Sequence, residues 1–218
     1  RARSHLEQVV LRLAREGIPC RAVELVSLKS RQVVADLVQL ARALSHPADR
    51  LAWLSVLRSP LCGLRLDSLH ALFGSDHGQA VPAVLSAWLA HEGQGEGGLD
   101  EPEAGRLRHS AAVLLDRRNA SGSIPFAAWL QQCWERLGGA AVYASPEDAA
   151  DAESLFRLVE KLAPYGGLNP VEFDAQIERL FAAPKSTGRA VEVMTIHKSK
   201  GLQFDTVILM GLHRRARG

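Results

Sequence analysis

The sequence is poor in residues that cross-link a chain or carry it through a membrane. Its three cysteines, Cys20, Cys62 and Cys133, are scattered and form no C-x-x-C pair, which excludes a disulfide framework and a zinc knuckle. No apolar run reaches the length of about 18 residues that a transmembrane helix needs. We therefore expect buried thiols in a reducing, cytoplasmic compartment, with no membrane as a partner.

The usual signatures of a self-contained enzyme are also missing. The sequence has no G-x-x-x-x-G-K-[ST] loop for nucleotide phosphates and no Asp-Glu pair after an apolar strand to hold Mg²⁺. It has no G-x-S-x-G elbow, and its 8 histidines show neither H-x-x-x-H nor H-E-x-x-H spacing, so no hydrolase nucleophile and no metal site is predicted. We expect the chain to be a piece of a longer protein, without a complete catalytic set of its own.

The charge that is present is unevenly distributed. Residues 1–65 carry 11 Lys and Arg against 5 Asp and Glu, residues 66–184 carry 8 against 17, and residues 185–218 carry 7 against 2. If the two basic ends fold together, they present a positive surface to phosphates. Charge alone fits ordinary solvated helix faces equally well.

Helical periodicity and capping residues predict a mainly helical chain. Ser4, Ser30, Ser145 and Asn169 stand where helix caps are expected, and Pro125 stands at a predicted first helical position. One apolar face is predicted for the second helix: Val33, Val34, Leu37, Leu40, Ala41 and Leu44. The tryptophans Trp53, Trp88, Trp129 and Trp134 lie in such patterns, so we expect core anchors rather than platforms for stacked bases.

The two ends of the chain have a different character. Residues 18–23 and 191–196 are rich in extended-chain formers, and residues 204–210 form a nearly continuous apolar run, which is typical of a strand buried on both faces of a parallel sheet. The sequence therefore predicts an α/β portion with a parallel sheet that carries a large, all-helical inserted domain.

The segment T-I-H-K-S-K-G-L-Q-F at residues 195–204 connects two of these extended runs. Ligands gather at the carboxyl ends of strands in open α/β sheets, and this loop follows such an end. It offers hydroxyl, imidazole, ammonium and backbone amide groups, a mixture that suits a phosphodiester backbone. A basic turn without any ligand is the alternative.

This segment resembles motif V of the UvrD/RecB-like superfamily 1 DNA helicases, where T-x-H-x-x-K-G-L-E-F precedes a strand. Two further segments resemble the same family in the same order. E-G-I-P-C at 16–20 followed by R-Q-V-V-A-D at 31–36 is similar to the stretch after motif IV. L-R-S-P-L-C-G-L at 57–64 is similar to a segment of the RecB- and AddA-type helicase-nucleases.

The resemblance implies a domain organisation. Residues 1–58 and 186–218 would be two stretches of the second RecA-like motor domain, and residues 59–185 would be its helical insertion. The parent would be an ATP-dependent 3′-to-5′ DNA helicase of DNA repair and recombination, in the manner of exonuclease V. It would use ATP and Mg²⁺, and it would bind single-stranded or duplex DNA and a nuclease or helicase-like partner subunit.

The resemblance also implies roles for individual residues. The DNA-binding set would be Thr195, His197, Lys198, Ser199, Lys200 and Gly201, and the nucleotide-binding set would be Gln203 and Arg1. Position 203 is a Glu in the family pattern, so the change to Gln removes a charge near the nucleotide. That change supports an alternative, a non-catalytic helicase-like scaffold subunit that binds DNA or a protein. A helical interaction module with a chance motif is the remaining alternative.

Overall fold

The computed structural model describes residues 2–22, 27–91, 99–116, 124–164, 167–180 and 190–210. These residues are mostly helical, with a small parallel sheet, as the sequence predicts. The described helices and strands are α1 (Ala2–Arg15), β1 (Cys20–Ala22), a 3₁₀ turn (Leu28–Ser30), α2 (Gln32–Ser45), α3 (Arg50–Arg58), α4 (Leu66–Phe73), α5 (Val81–Ala90), α6 (Glu101–Leu114), α7 (Phe126–Arg136), α8 (Gly139–Val142), α9 (Pro146–Leu162), α10 (Pro170–Ile177) and β2 (Val191–Val193).

The chain divides into two compact units. The sheet unit comprises Arg1–Val26 with Phe181–Gly218, and the helical unit comprises Ser27–Leu180. The predicted domain boundary after residue 58 differs from this division, because α2 packs against α3, α7 and α9 and therefore belongs with the helices that follow. The assignment of residues 1–58 to a motor domain stays a prediction.

In the described part of the sheet unit, β1 and β2 form a two-stranded parallel sheet. Cys20 lies opposite Val191, and Ala22 lies opposite Val193. The predicted extended segments at 18–23 and 191–196 are thus strands over three residues each. The predicted capping box at Ser4 is wrong, because the helical backbone already begins at Ala2, within good helix formers, and leaves Ser4 inside the first turn.

The predicted buried strand over residues 204–210 is also wrong. These residues adopt no strand, and their side chains are exposed, from 41% for Phe204 to 78% for Ile208. A strand buried on both faces needs neighbouring strands and a covering layer. The described residues of the sheet unit supply only β1 and β2, and neither pairs with this run.

The core of the helical unit follows the predicted apolar faces. All six residues of the predicted α2 face are buried, and Trp53, Trp88 and Trp134 are buried core anchors, as expected. Trp129 is half-buried and packs edge-to-face on Phe126 with ring centres 5.8 Å apart. The helical periodicity thus located the core because burial of one face is what holds these helices together.

Two predicted caps of the helical unit are confirmed. The Ser145 hydroxyl accepts the Asp148 N–H at 3.0 Å, and the Asn169 side chain accepts the N–H groups of Val171 and Glu172 at 3.0 and 3.2 Å. These bonds satisfy amides that a helix start leaves without a backbone partner. Both helices begin at the proline that follows the cap.

Two other predicted helix starts are displaced. Ser30 lies in the 3₁₀ turn and its hydroxyl donates to the Ser27 carbonyl at 3.0 Å, so Arg31 takes the cap position of α2. Pro125 precedes the first helical residue instead of being it, because its ψ of 145° is extended. The predicted end of the last helix at Phe181 and the loops at 92–98, 119–123 and 184–188 lie outside the described residues.

The thiols are partly buried, as expected. Cys62 and Cys133 are buried and Cys20 is half-buried. Burial raises the pKa of the Cys62 thiol and of the Cys133 thiol to about 11. A raised pKa keeps both thiols protonated and unreactive near neutral pH.

The two ends of the helical unit lie side by side. The Leu28 N–H donates to the Leu180 carbonyl at 3.0 Å, and the Lys29 ammonium forms an ion pair with Glu178. Leu28 is fully buried beneath these contacts. We call this pairing of residues 27–29 with residues 178–180 the neck of the helical unit.

Candidate nucleic-acid interface

The candidate site is the polar turn, residues 195–201, which begins two residues after the end of β2. The Lys198 and Ser199 N–H groups both donate to the Thr195 carbonyl, at 2.9 and 3.2 Å, and the Leu202 N–H donates to the Ser199 carbonyl at 3.0 Å. The turn is therefore closed by its own backbone. It follows the carboxyl end of a parallel strand, where the sequence predicts it.

The side chains of the polar turn divide between its inner and outer sides. His197, Lys198 and Lys200 are exposed, whereas Thr195 and Ser199 are half-buried. The Ser199 hydroxyl donates to the Ile196 carbonyl at 2.9 Å. The outer side therefore carries the imidazole and both ammonium groups, which are the groups that attract phosphate.

Gly201 ends the polar turn in a conformation that favours glycine. Its φ is +87°, in the left-handed region, and a Cβ built on it would have no other atom within 4 Å. The requirement for glycine is thus conformational rather than steric. It leaves the backbone open on the side where a Cβ would stand.

The charge balance around the polar turn is positive. The turn contains two lysines and no carboxylate. The nearest acid on β2, Glu192, is offset by Arg21 of β1, whose guanidinium lies 3.2 Å from it. An anion that approaches the outer side therefore meets a net positive charge.

The two predicted nucleotide-binding residues are not brought together by the described structure. Gln203 is exposed two residues beyond Gly201, and Arg1 lies outside the described residues. A single exposed carboxamide offers one donor group and one acceptor group. The described residues therefore do not form a nucleotide site on their own.

The segment at 57–64 forms a buried turn. The Ser59 hydroxyl donates to the Val56 carbonyl at 2.7 Å, and the Leu64 N–H donates to the Leu57 carbonyl at 3.0 Å. Gly63 has a φ of +66°, and the Arg106 Nε lies 3.6 Å from where a Cβ would stand. The polar groups of Ser59 are therefore used to shape the connection between α3 and α4.

The segment at 31–36 anchors α2 to later helices. Arg31 donates to Asp151 at 2.8 Å and to Glu147 at 3.0 Å, both on α9. The hydrogen bond to Asp151 is the main cause that raises the pKa of the Arg31 guanidinium. Sequence reasoning missed this pairing because the partners lie more than a hundred residues away and carry no local signal.

Asp36 makes a second long-range connection from α2. It is only 8% exposed, accepts a hydrogen bond from the Gln32 amide at 2.9 Å, and accepts another from the Tyr143 hydroxyl. Burial, with the bond to Asp36 as a second cause, raises the pKa of the Tyr143 hydroxyl above its ordinary value. Arg31 and Asp36 are therefore held by packing contacts of the helical unit.

Two kinds of feature are absent from the described ranges. No group of three or more His, Cys, Asp or Glu side chains lies close enough together to hold a metal ion. In the same part of the chain, every helix is too short or too polar to span a bilayer.

Comparison with known proteins supports the family. Residues 168–216, which include β2 and the polar turn, match the UvrD-like helicase C-terminal domain. The chain is 27% identical over 214 residues to the A subunit of the ATP-dependent helicase/nuclease of Latilactobacillus sakei, across 92% of this chain and 24% of that protein. The resemblance to the UvrD/RecB-like helicases is confirmed.

Other relatives of the chain carry the same name. The corresponding protein of Pelotomaculum thermopropionicum is 28% identical across 92% of this chain and 16% of its own length. That of Acetivibrio thermocellus is 27% identical across 98% of this chain and 18% of its own length. The chain thus spans at most about a quarter of the length of these relatives.

Proposed function

We propose that this chain is part of an ATP-dependent DNA helicase or translocase that moves 3′-to-5′, and that the polar turn holds the single strand. The observation that carries the proposal is the turn itself. It exposes His197, Lys198 and Lys200 on one side, and it lies within the segment that matches the UvrD-like family.

The proposed ligand is the phosphate backbone rather than the bases. Lysine ammonium groups, hydroxyls and backbone amides are the usual partners of phosphate oxygens, and they carry no sequence information. A motor that moves along any sequence needs contacts of this kind. Thr195 and Gly201 would complete the contact through the hydroxyl and the open backbone, and Ser199 would stand at its rim.

The nucleotide contribution of the chain would be small. Gln203 would hydrogen-bond the nucleotide, and Arg1 would approach its terminal phosphate; ATP with Mg²⁺ supplies the phosphoryl transfer that drives movement. The phosphate-cradling and Mg²⁺-holding residues would lie elsewhere in the parent. We therefore expect the chain alone to bind DNA without hydrolysing ATP.

The helical unit would be an insertion in a RecA-like domain. An inserted domain leaves and re-enters its host at neighbouring points, and the hydrogen bond between Leu28 and Leu180 gives the helical unit that property. We propose that the parent acts in the cytoplasm in DNA repair and recombination, with a nuclease or helicase-like partner subunit. The names of the relatives support this context.

The test compares the parent protein with this chain. ATP hydrolysis is measured for both, with and without single-stranded DNA, and strand binding is measured by fluorescence anisotropy. We expect DNA-stimulated turnover by the parent, no turnover by the chain, and weaker binding by the His197→Ala variant without loss of folding. Turnover by the chain alone, or unchanged binding by His197→Ala, contradicts the proposal.

A second candidate function is a helicase-like scaffold without a working motor. Gln203 in place of the family's Glu favours it, because the substitution removes a charge from the proposed nucleotide contact. This candidate predicts that the parent binds single-stranded DNA but shows no DNA-stimulated ATP turnover. Tighter nucleotide binding by Gln203→Glu would support a motor role for position 203, and an unchanged Kd would contradict any contact there.

A further inference from the structure

Ser199 differs from the other polar residues of the turn because its own polar groups are all engaged within the turn. Its N–H donates to the Thr195 carbonyl at 3.2 Å, and its carbonyl accepts the Leu202 N–H at 3.0 Å. Its hydroxyl donates to the Ile196 carbonyl at 2.9 Å. The side chain is half-buried, whereas the neighbouring Lys198 and Lys200 are exposed.

The chemistry of the hydroxyl decides what it can bind. A serine hydroxyl has one proton to donate, and here that proton is directed to the Ile196 carbonyl. The oxygens of a phosphodiester only accept hydrogen bonds, so they need a donor. Ser199 in this conformation has no donor to offer them.

We propose that Ser199 is a positioning residue of the DNA site and makes no contact with the phosphate. Its hydroxyl ties the start of the turn at Ile196 to the middle, and its backbone ties the middle to Leu202. Lys200 stands between those two ties, on the outer side. The proposal rests on the proposed function, because it assigns Ser199 the task of presenting Lys200 to the DNA.

Two variants of Ser199 separate its possible roles. Ser199→Ala removes the hydroxyl, whereas Ser199→Thr retains one that can donate to the same carbonyl. Ser154→Ala is the matched control, because the Ser154 hydroxyl donates to the Ala150 carbonyl at 2.8 Å on a helix of the other unit. The control removes the same kind of bond far from the polar turn in sequence.

Binding of the full chain to a labelled oligothymidylate is measured by anisotropy at several salt concentrations. We expect Ser199→Ala to weaken binding about fivefold, the change that corresponds to one net hydrogen bond. Ser199→Thr and Ser154→Ala should stay within about twofold of the unaltered chain. Each lysine-phosphate contact contributes about 0.7 to the slope of log affinity against log salt on a single strand, so Ser199→Ala should lower the slope toward that of Lys200→Ala.

The combination with Lys200→Ala gives the sharpest readout. If Ser199 acts through Lys200, the double variant should bind about as weakly as Lys200→Ala alone. Additive losses with an unchanged salt slope in Ser199→Ala would show a direct hydroxyl contact and overturn the proposal. Binding of Ser199→Ala equal to that of the unaltered chain would overturn it as well.

Amide hydrogen exchange decides the matter independently of DNA. Ser199→Ala should speed exchange at Leu202 and Lys198, whose N–H groups close the turn. Unchanged exchange at both amides would overturn the positioning role even if binding changes. Failure of the unaltered chain to bind the oligonucleotide would instead contradict the proposed function, so the two failures are distinguishable.

Discussion

Substitution of Glu103 by Gln should destabilise the helical unit substantially, although the two side chains have nearly the same shape. The Glu103 carboxylate is 0% exposed. One of its oxygens accepts the Arg65 N–H at 2.6 Å, and the other accepts the Ser68 hydroxyl at 2.8 Å. These bonds tie the start of α4 to the first turn of α6.

The expected magnitude follows from those two bonds. A hydrogen bond to a charged group contributes about 1.5–3 kcal/mol to stability. Glutamine keeps one carbonyl oxygen as acceptor but presents an NH₂ group where the other oxygen stood, so about one such bond is lost. We therefore expect the free energy of unfolding to fall by about 2 kcal/mol. At a denaturant dependence of about 2 kcal/mol per molar urea, the unfolding midpoint should fall by about 1 M.

Urea unfolding followed by circular dichroism measures this change. Glu101→Gln is the matched control, because Glu101 lies in the same first turn of α6 and its side chain is 87% exposed. The control should change stability by less than about 0.5 kcal/mol. Equal midpoints for Glu103→Gln and Glu101→Gln would refute the reasoning, and so would a Glu103→Gln effect that disappears at high salt, since only exposed charges are screened in that way.

Three further predictions concern other parts of the chain. Tyr143→Phe removes a buried donor from Asp36 and should cost about 1–3 kcal/mol in urea unfolding; a midpoint equal to that of the unaltered chain would contradict it. Gly201→Ala places a side chain at a φ of +87°, so it should cost about 1 kcal/mol locally and weaken DNA binding, measured by anisotropy; unchanged binding would contradict the need for this conformation. Cys62 and Cys133 should resist a thiol reagent at pH 8 until the chain unfolds. Because burial raises the pKa of each thiol from 9.0 to about 11, their stabilising effect is present below pH 9 and is lost as pH rises toward 11; rapid labelling of the folded chain would contradict this.

Local signals predicted what local forces determine. The caps at Ser145 and Asn169 were predictable because each bond joins residues two or three positions apart. The cap at Ser30 failed because a 3₁₀ turn uses the same hydroxyl. The polar turn was placed after a strand because its sequence changes from β-branched to polar residues over a few positions.

Contacts between distant residues were not predictable in the same way. The partners of Arg31 and Asp36 are Asp151 and Tyr143, and only the folded chain shows those pairs. The run at 204–210 failed for a related reason. Its apolar character signals a preference for burial, but burial depends on the layers that the rest of the fold supplies.

The neck has a consequence for how freely the helical unit can change in size. Its ends are already held together by the bond from Leu28 to Leu180, so residues added within the unit lengthen a loop whose closure is fixed. The entropic cost of such growth rises only with the logarithm of loop length, by about 0.6 kcal/mol for each doubling. Insertions at the exposed connections between helices therefore leave the two crossing points where they are. The helical unit can diverge in length and surface among related proteins while the chain on either side of it keeps its course.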